Sequence, residues 1–182
     1  MASVFLLTGR PGTGKTTIIR ETLSFIRIKA GGFYTQEIRE GGVRKGFKIV
    51  TLDGKEAVLS HIDFPGTYRV GKYGVNLDNL EQTGILSIEK AINNCALIVI
   101  DEIGKMELLS MRFRDVVLKA LESNKPVLGT IMESSDPYTD RIKKLSSVKL
   151  LTVTVSNRSL IAQSLQEEFQ RTDNENLFKT TG

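Results

Sequence analysis

The chain has 182 residues, 40% of them apolar and 25% charged, with 25 Lys and Arg against 21 Asp and Glu for a net charge of +4. That length suits one domain with a sizeable core, and the mild excess of positive charge, spread along the chain, argues against a nucleic-acid face. No stretch approaches the roughly 20 apolar residues of a membrane span, and Cys95, the sole cysteine, permits no internal disulfide, which suits a cytoplasmic protein.

Residues 3–8 read as a buried strand with no signal-peptide character. Residues 15–30 have helical spacing, with Ile19, Leu23, Ile26 and Ala30 on one face and Gly31-Gly32 as the stop. Phe33–Arg39, Lys45–Leu52 and Glu56–His61 then read as three short strands, turned by Gly41-Gly42 and Asp53-Gly54 into an antiparallel meander. Residues 62–76 carry Pro65, Gly66, Gly71 and Gly74 and read as a loop, and 77–94 as a helix weakened by Gly84. Residues 96–101, Ala-Leu-Ile-Val-Ile-Asp, form a continuous apolar strand suited to a sheet centre covered on both faces.

A helix is expected from about residue 107, with Leu109, Phe113, Val116 and Ala120 in register. Pro126–Ile131 and Lys149–Val155 read as further core strands, Asp136–Leu145 as a short helix, and 158–170 as a last helix with Ile161, Leu165 and Phe169 aligned. Strands alternating with helices predict an α/β fold with a mostly parallel core sheet and an antiparallel β-meander insertion. Residues 1–170 form the expected single domain, with the meander at 33–61 inside it and a polar tail over 171–182.

The stretch Gly9-Arg10-Pro11-Gly12-Thr13-Gly14-Lys15-Thr16-Thr17 fits the Walker A pattern and sits between a predicted strand and a predicted helix. Its glycines let backbone N–H groups approach phosphate oxygens, and the helix N-terminus adds partial positive charge. Lys15 is expected on the β- and γ-phosphates and the Thr16 hydroxyl on Mg²⁺. Arg10 suits a nucleotide contact or solvent equally. Downstream, Asp101 ends the apolar strand at the edge where α/β sheets bind ligands, and is expected to hold Mg²⁺. Glu102 follows, placed to orient or deprotonate water for attack on the γ-phosphorus. That carboxylate tilts the reading toward hydrolysis. With a single histidine, His61, and a single cysteine, a zinc site is not expected.

Several segments together carry a family resemblance: GRPGTGKTT, DEIGKMEL (101–108), GGFYTQEIREGG (31–42), VGKYGV (70–75), VLGTI (127–131) and SNR (156–158). From about residue 4 to 165 the chain resembles the small P-loop nucleoside-triphosphatase family first described from thermophiles. The resemblance implies a RecA-like P-loop domain, a three-layer sandwich. It also implies Mg²⁺-dependent hydrolysis of ATP, GTP, CTP, UTP and TTP to diphosphate and phosphate with weak base preference. The family pattern places an acid after Asn-Arg near the C-terminus; here Ser159 follows Arg158, so no role is carried over to that position.

Four further residues are candidates. Lys105, supported by the family motif, would steady charge on the transferring phosphoryl group or stand in solvent. Thr130 would contact the γ-phosphate or the attacking water if its strand neighbours that of Asp101, or make an ordinary strand hydrogen bond. Arg158 would stack on the base or pair with phosphate, with Asn157 or Ser156 as an N-cap. Tyr73 would stack on the base or close over the site. A monomer acting on nucleoside triphosphates, without membrane or nucleic-acid partners, is the expected form. Two rival readings stay open: a small nucleotide or metabolite kinase, which would phosphorylate an acceptor faster than water, and a binding module whose hydrolysis a partner accelerates.

Overall fold

In the computed structural model, which describes residues 3–179, nine strands form one sheet in the order β5-β6-β4-β3-β2-β7-β8-β1-β9. The parallel part comprises β2 (Ala30–Glu40), β7 (Leu97–Ile103), β8 (Val127–Ile131), β1 (Val4–Thr8) and β9 (Val148–Thr152). Beyond β2 the sheet continues antiparallel through β3 (Val43–Thr51) and β4 (Glu56–His61). A small edge hairpin, β5 (Arg69–Val70) and β6 (Tyr73–Val75), completes it.

Side-chain alternation along each core strand feeds two hydrophobic cores. Val4 and Leu6 of β1, and Ile98 and Ile100 of β7, face one core, shared with Ile88, Phe113, Val116 and Ile142. Phe5 and Leu7, with Leu97 and Val99, face the other, shared with Ile18, Ile19, Leu165 and Phe169. The sheet is therefore the middle of three layers. Helices α3 (Leu86–Asn94), α4 (Met111–Glu122) and α5 (Pro137–Lys143) cover one face, and α1 (Lys15–Phe25) with α6 (Arg158–Lys179) the other. Strands buried on both faces need apolar residues at every position, which is why β7 reads as an unbroken apolar run.

Five differences from the sequence reading follow from how the chain packs. Helix α1 stops at Phe25, and Ile26 is already extended (φ −89°, ψ 150°). Ile26, Ile28 and Ala30 still reach the core, but from extended chain. Gly31 and Gly32 lie inside β2, because a β-carbon on Gly32 would collide with the Val99 carbonyl of β7. The meander is thus the continuation of a core strand. The expected loop 62–76 contains the β5–β6 hairpin, whose strands are too short to show a period of two. The helix over 77–94 begins as a single turn, α2 (Leu77–Asn79), capped by the Asn76 side chain, and passes through a π-helical segment, Leu80–Ile85, before α3. Finally, Leu109 is exposed, because Glu107–Leu109 is a 3-10 turn and Ser110 restarts the helix by accepting the Phe113 N–H at 3.2 Å.

Helix α6 runs past its expected end at residue 170, to Lys179; of the expected polar tail, residues 180–182 lie outside the described residues. Among the described residues no helix is long and apolar enough to cross a membrane.

Candidate functional site

The loop between β1 and α1 occupies residues 9–14 and curls at the C-terminal edge of the parallel strands. Gly9 (φ +134°) passes so close to the residue that follows β9 that a β-carbon there would strike the Val153 carbonyl oxygen. Gly14 (φ +98°) is the N-cap of α1 and offers no side chain to the first-turn amides. Those N–H groups are consequently available to an external anion at the positive end of the helix. The Lys15 ammonium donates to the carbonyls of Gly9 at 2.8 Å and Arg10 at 3.0 Å, so it lies across the loop it would share with phosphate. The Thr13 hydroxyl also donates to the Arg10 carbonyl, at 3.0 Å. Pro11 is on the rim with Lys15, whereas the Arg10 side chain and Thr17 are exposed.

Strand β8 lies between β1 and β7. This order sets the Walker strand and the acidic strand one strand apart and brings a third side chain between them. Asp101, only 1% exposed, accepts the Thr16 hydroxyl on Oδ2 at 2.7 Å and the Thr130 hydroxyl on Oδ1 at 2.6 Å. Burial pushes its pKa up, and the two hydroxyls and Lys15 pull it back. A buried carboxylate beside a hydroxyl, opening onto a phosphate-shaped loop, is an all-oxygen set suited to a hard divalent cation. The strand of Thr130 does neighbour that of Asp101, and Thr130 makes a direct hydrogen bond to that carboxylate.

Glu102 is half-buried at the end of β7 and lines the adjoining cleft with Lys15. Its pKa is raised first by burial and then by the neighbouring charge of Asp101. One functional candidate escaped the sequence reading. Glu107, 4% exposed, is pushed up to about 8 by burial and by the charge of Glu102. The only hint in the sequence is an acid set between Met106 and Leu108. Gly104 separates the two carboxylates: a β-carbon on it would lie 2.9 Å from Glu102 Oε1 and 3.1 Å from Glu107 Oε2. Lys105 is exposed at the rim of the same cleft.

The remaining candidates divide. Arg158, at the start of α6, lies over the loop, with its Cδ 3.5 Å from where a Gly14 β-carbon would be. Asn157 does not cap that helix in the expected way; its Oδ1 accepts the Thr154 N–H at 2.8 Å and its Nδ2 donates to the Thr152 carbonyl at 3.0 Å, bracing the loop before α6. Tyr73 is buried in the sheet extension, edge-on to Phe47, and its hydroxyl accepts from Arg44 Nε at 3.0 Å. That packing removes it from the base and from any lid.

Phosphate loop, buried acid and cleft-lining glutamate thus meet at one edge of the sheet, beside a cleft of about 430 Å³. The family model described as NTPase matches residues 4–166. Nucleoside-triphosphatase THEP1 of Thermotoga petrophila is 53% identical over 160 residues, covering 88% of this chain and 89% of that protein. Its counterpart in Methanocaldococcus jannaschii is 39% identical over 163 residues, covering 87% and 92%. The crystal structure of THEP1 from the hyperthermophile Aquifex aeolicus superposes with a TM-score of 0.84 at 34% identity, covering 93% of this chain and 99% of that one. The solution structure of a human cancer-related nucleoside triphosphatase gives 0.76 at 35% identity, covering 94% and 98%. By sequence and by overall structural similarity, the chain belongs to the THEP1 nucleoside-triphosphatase family.

Proposed function

We propose that the chain hydrolyses nucleoside triphosphates to diphosphate and phosphate with Mg²⁺, taking ATP, GTP, CTP, UTP and TTP with little preference for the base. The observation that carries this reading is the hydrogen-bond chain Thr16–Asp101–Thr130, which fastens the first turn of α1 to the ends of β7 and β8. It presents a buried carboxylate beside the phosphate loop, with Glu102 next along the strand.

Thr16 and Asp101 would hold Mg²⁺, which when bound supplies positive charge to the β- and γ-phosphate oxygens. Loop amides and the α1 N-terminus bind the β-phosphate. Lys15 shifts from its carbonyl partners to the β- and γ-oxygens. Glu102 orients a water in line with the γ-phosphorus and accepts its proton as the new O–P bond forms and the β–γ bridge breaks. Its raised pKa makes it a better proton acceptor than an ordinary carboxylate. Lys105, at the cleft rim, is placed to approach the transferring group. Arg158 offers a planar cation that stacks on any base without reading its edge, which suits weak base preference. Preorganised charge around the γ-phosphate is the dominant source of rate.

The test follows phosphate release from ATP, GTP, CTP and UTP with Mg²⁺, beside Lys15→Ala and Glu102→Gln purified identically. The expected result is turnover of all four by the wild type, loss in both variants, and retained nucleotide binding by Glu102→Gln. Wild-type release no faster than that of Lys15→Ala would refute the reading.

A further inference from the structure

The cleft beside Glu102 is larger than hydrolysis requires. Its volume of about 430 Å³ compares with roughly 30 Å³ for a water in the liquid and falls within the roughly 300–1,000 Å³ typical of sites for small organic ligands. One end is the phosphate loop, represented by Gly9, Pro11 and Lys15. The rest extends away from the loop, and its far wall is the antiparallel extension of the sheet.

That wall is apolar. It consists of Phe47 on β3, Leu59 on β4 and Val70 on β5, faced by Met106 and Met132 from the segments that follow β7 and β8. Leu59 and Met132 are 1% and 9% exposed, so this surface is part of the packed core. Two flexible thioethers let it adapt to a ligand's outline. The floor is polar, with Glu102 and Glu107 side by side and Gly104 between them. Buried Glu107 keeps its proton at neutral pH, so away from the loop the charged groups are Glu102 and, at the rim, Glu133 against Lys105 alone, Lys15 being held by the loop. Away from the loop, the cleft favours a neutral or cationic guest over an anion.

We propose that this cleft is a second-substrate site for a small neutral or monocationic alcohol with an aromatic-sized apolar body, and that the enzyme transfers the γ-phosphoryl group to its hydroxyl. In this step the alcohol oxygen forms a bond to the γ-phosphorus. The bond from that phosphorus to the β–γ bridging oxygen breaks, and the nucleoside diphosphate leaves with the electron pair. The hydroxyl proton passes to Glu102. A phosphomonoester and a nucleoside diphosphate result, and hydrolysis is the same reaction with water in the place of the alcohol. The inference rests on the nucleotide reading of the phosphate loop.

Three probes that share the benzyl alcohol framework and differ in charge test it: benzyl alcohol, 3-(aminomethyl)benzyl alcohol and 4-(hydroxymethyl)benzoate. Each is incubated with the full-length enzyme, ATP and Mg²⁺, and ADP, phosphate and phosphoester are quantified by phosphorus NMR. The neutral and cationic alcohols are expected to yield phosphoester and to drive released phosphate below ADP; the anionic one leaves the two equal. Val70→Trp, which fills the outer wall on the edge hairpin away from the catalytic groups, should lower transfer at least about tenfold, the scale on which apolar pockets discriminate. Its ATP hydrolysis without alcohol should stay at the wild-type rate. Equal ADP and phosphate with all three probes would overturn the proposal while leaving hydrolysis intact. So would phosphoester formation that Val70→Trp does not reduce, or that the benzoate supports as well as the amine. Absence of ADP under every condition would instead refute the underlying nucleotide reading.

Discussion

Replacing Glu107 by Gln should stabilise the ligand-free protein increasingly as the pH rises from the ordinary carboxylate pKa of 4.5 to about 8. Glu107 is buried beside Glu102, and both burial and that neighbouring charge hold its proton on. Its carboxyl titrates at about 8 in the fold against an ordinary value of 4.5. The folded state therefore binds this proton more tightly than the unfolded chain does. Below the unfolded pKa both states are protonated and nothing is lost. As the pH rises, the unfolded chain ionises first and stability falls; above about 8 the cost is complete. At about 1.36 kcal/mol per pK unit, the span from 4.5 to about 8 amounts to a penalty on the order of 5 kcal/mol. The amide of Gln has the same shape and never ionises. Its oxygen can still accept from the N–H groups of Glu107 and Gly104, which the carboxyl now approaches. Urea titrations of wild type and Glu107→Gln, in buffer free of nucleotide and divalent metal, should give closely similar stabilities near pH 5. The variant should pull ahead progressively toward pH 8.5, by several kcal/mol, at unchanged m-value. A stability difference that does not vary with pH would refute the reasoning, as would a variant less stable throughout.

Three other outcomes follow from the same geometry. Thr130→Val keeps the volume of the side chain but removes a 2.6 Å hydrogen bond to buried Asp101, and should lower metal-free stability at pH 7 by roughly 1.5–3 kcal/mol in urea unfolding; no change would mean that the contact is incidental. Glu102 must be ionised to accept a proton, and its pKa is raised by burial and by Asp101. The acid limb of the kcat/KM profile should therefore lie above the ordinary carboxylate range, and Glu102→Gln should cost about 10²- to 10⁴-fold in rate. Arg158→Ala should weaken ATP, GTP, CTP and UTP binding alike in calorimetric titrations, by roughly 2- to 30-fold, the range of an exposed to partly desolvated cation–π contact. Loss confined to one base would assign Arg158 to base reading instead.

The phosphate loop, Asp101 and Glu102 were legible because their chemistry depends on contiguous spacing. Gly9, Gly14, Lys15 and Thr16 lie within eight consecutive residues, and a strand buried on both faces announces itself as the unbroken apolar run before Asp101. The core strands and most helices were legible for the related reason that each element's burial leaves a period in its own residues. The errors fell where a neighbour decided. Gly31 and Gly32 look like a helix stop but allow β2 to lie against β7. Tyr73 looks like an exposed aromatic in a glycine loop but is packed against Phe47 and Arg44.

What the sequence by itself determined was the glycine-rich loop between β1 and α1, the acid that faces it and the alternation of strands and helices, all written in distances of a few residues. Tertiary structure alone decided that β8 runs between β1 and β7 and so delivers Thr130 to Asp101. It also decided that Glu107 is buried next to Glu102, and that the sheet extension closes an apolar cleft over both. The order of strands in a sheet and the burial of a charge depend on which distant segments pack together, and no local pattern of residues records that choice.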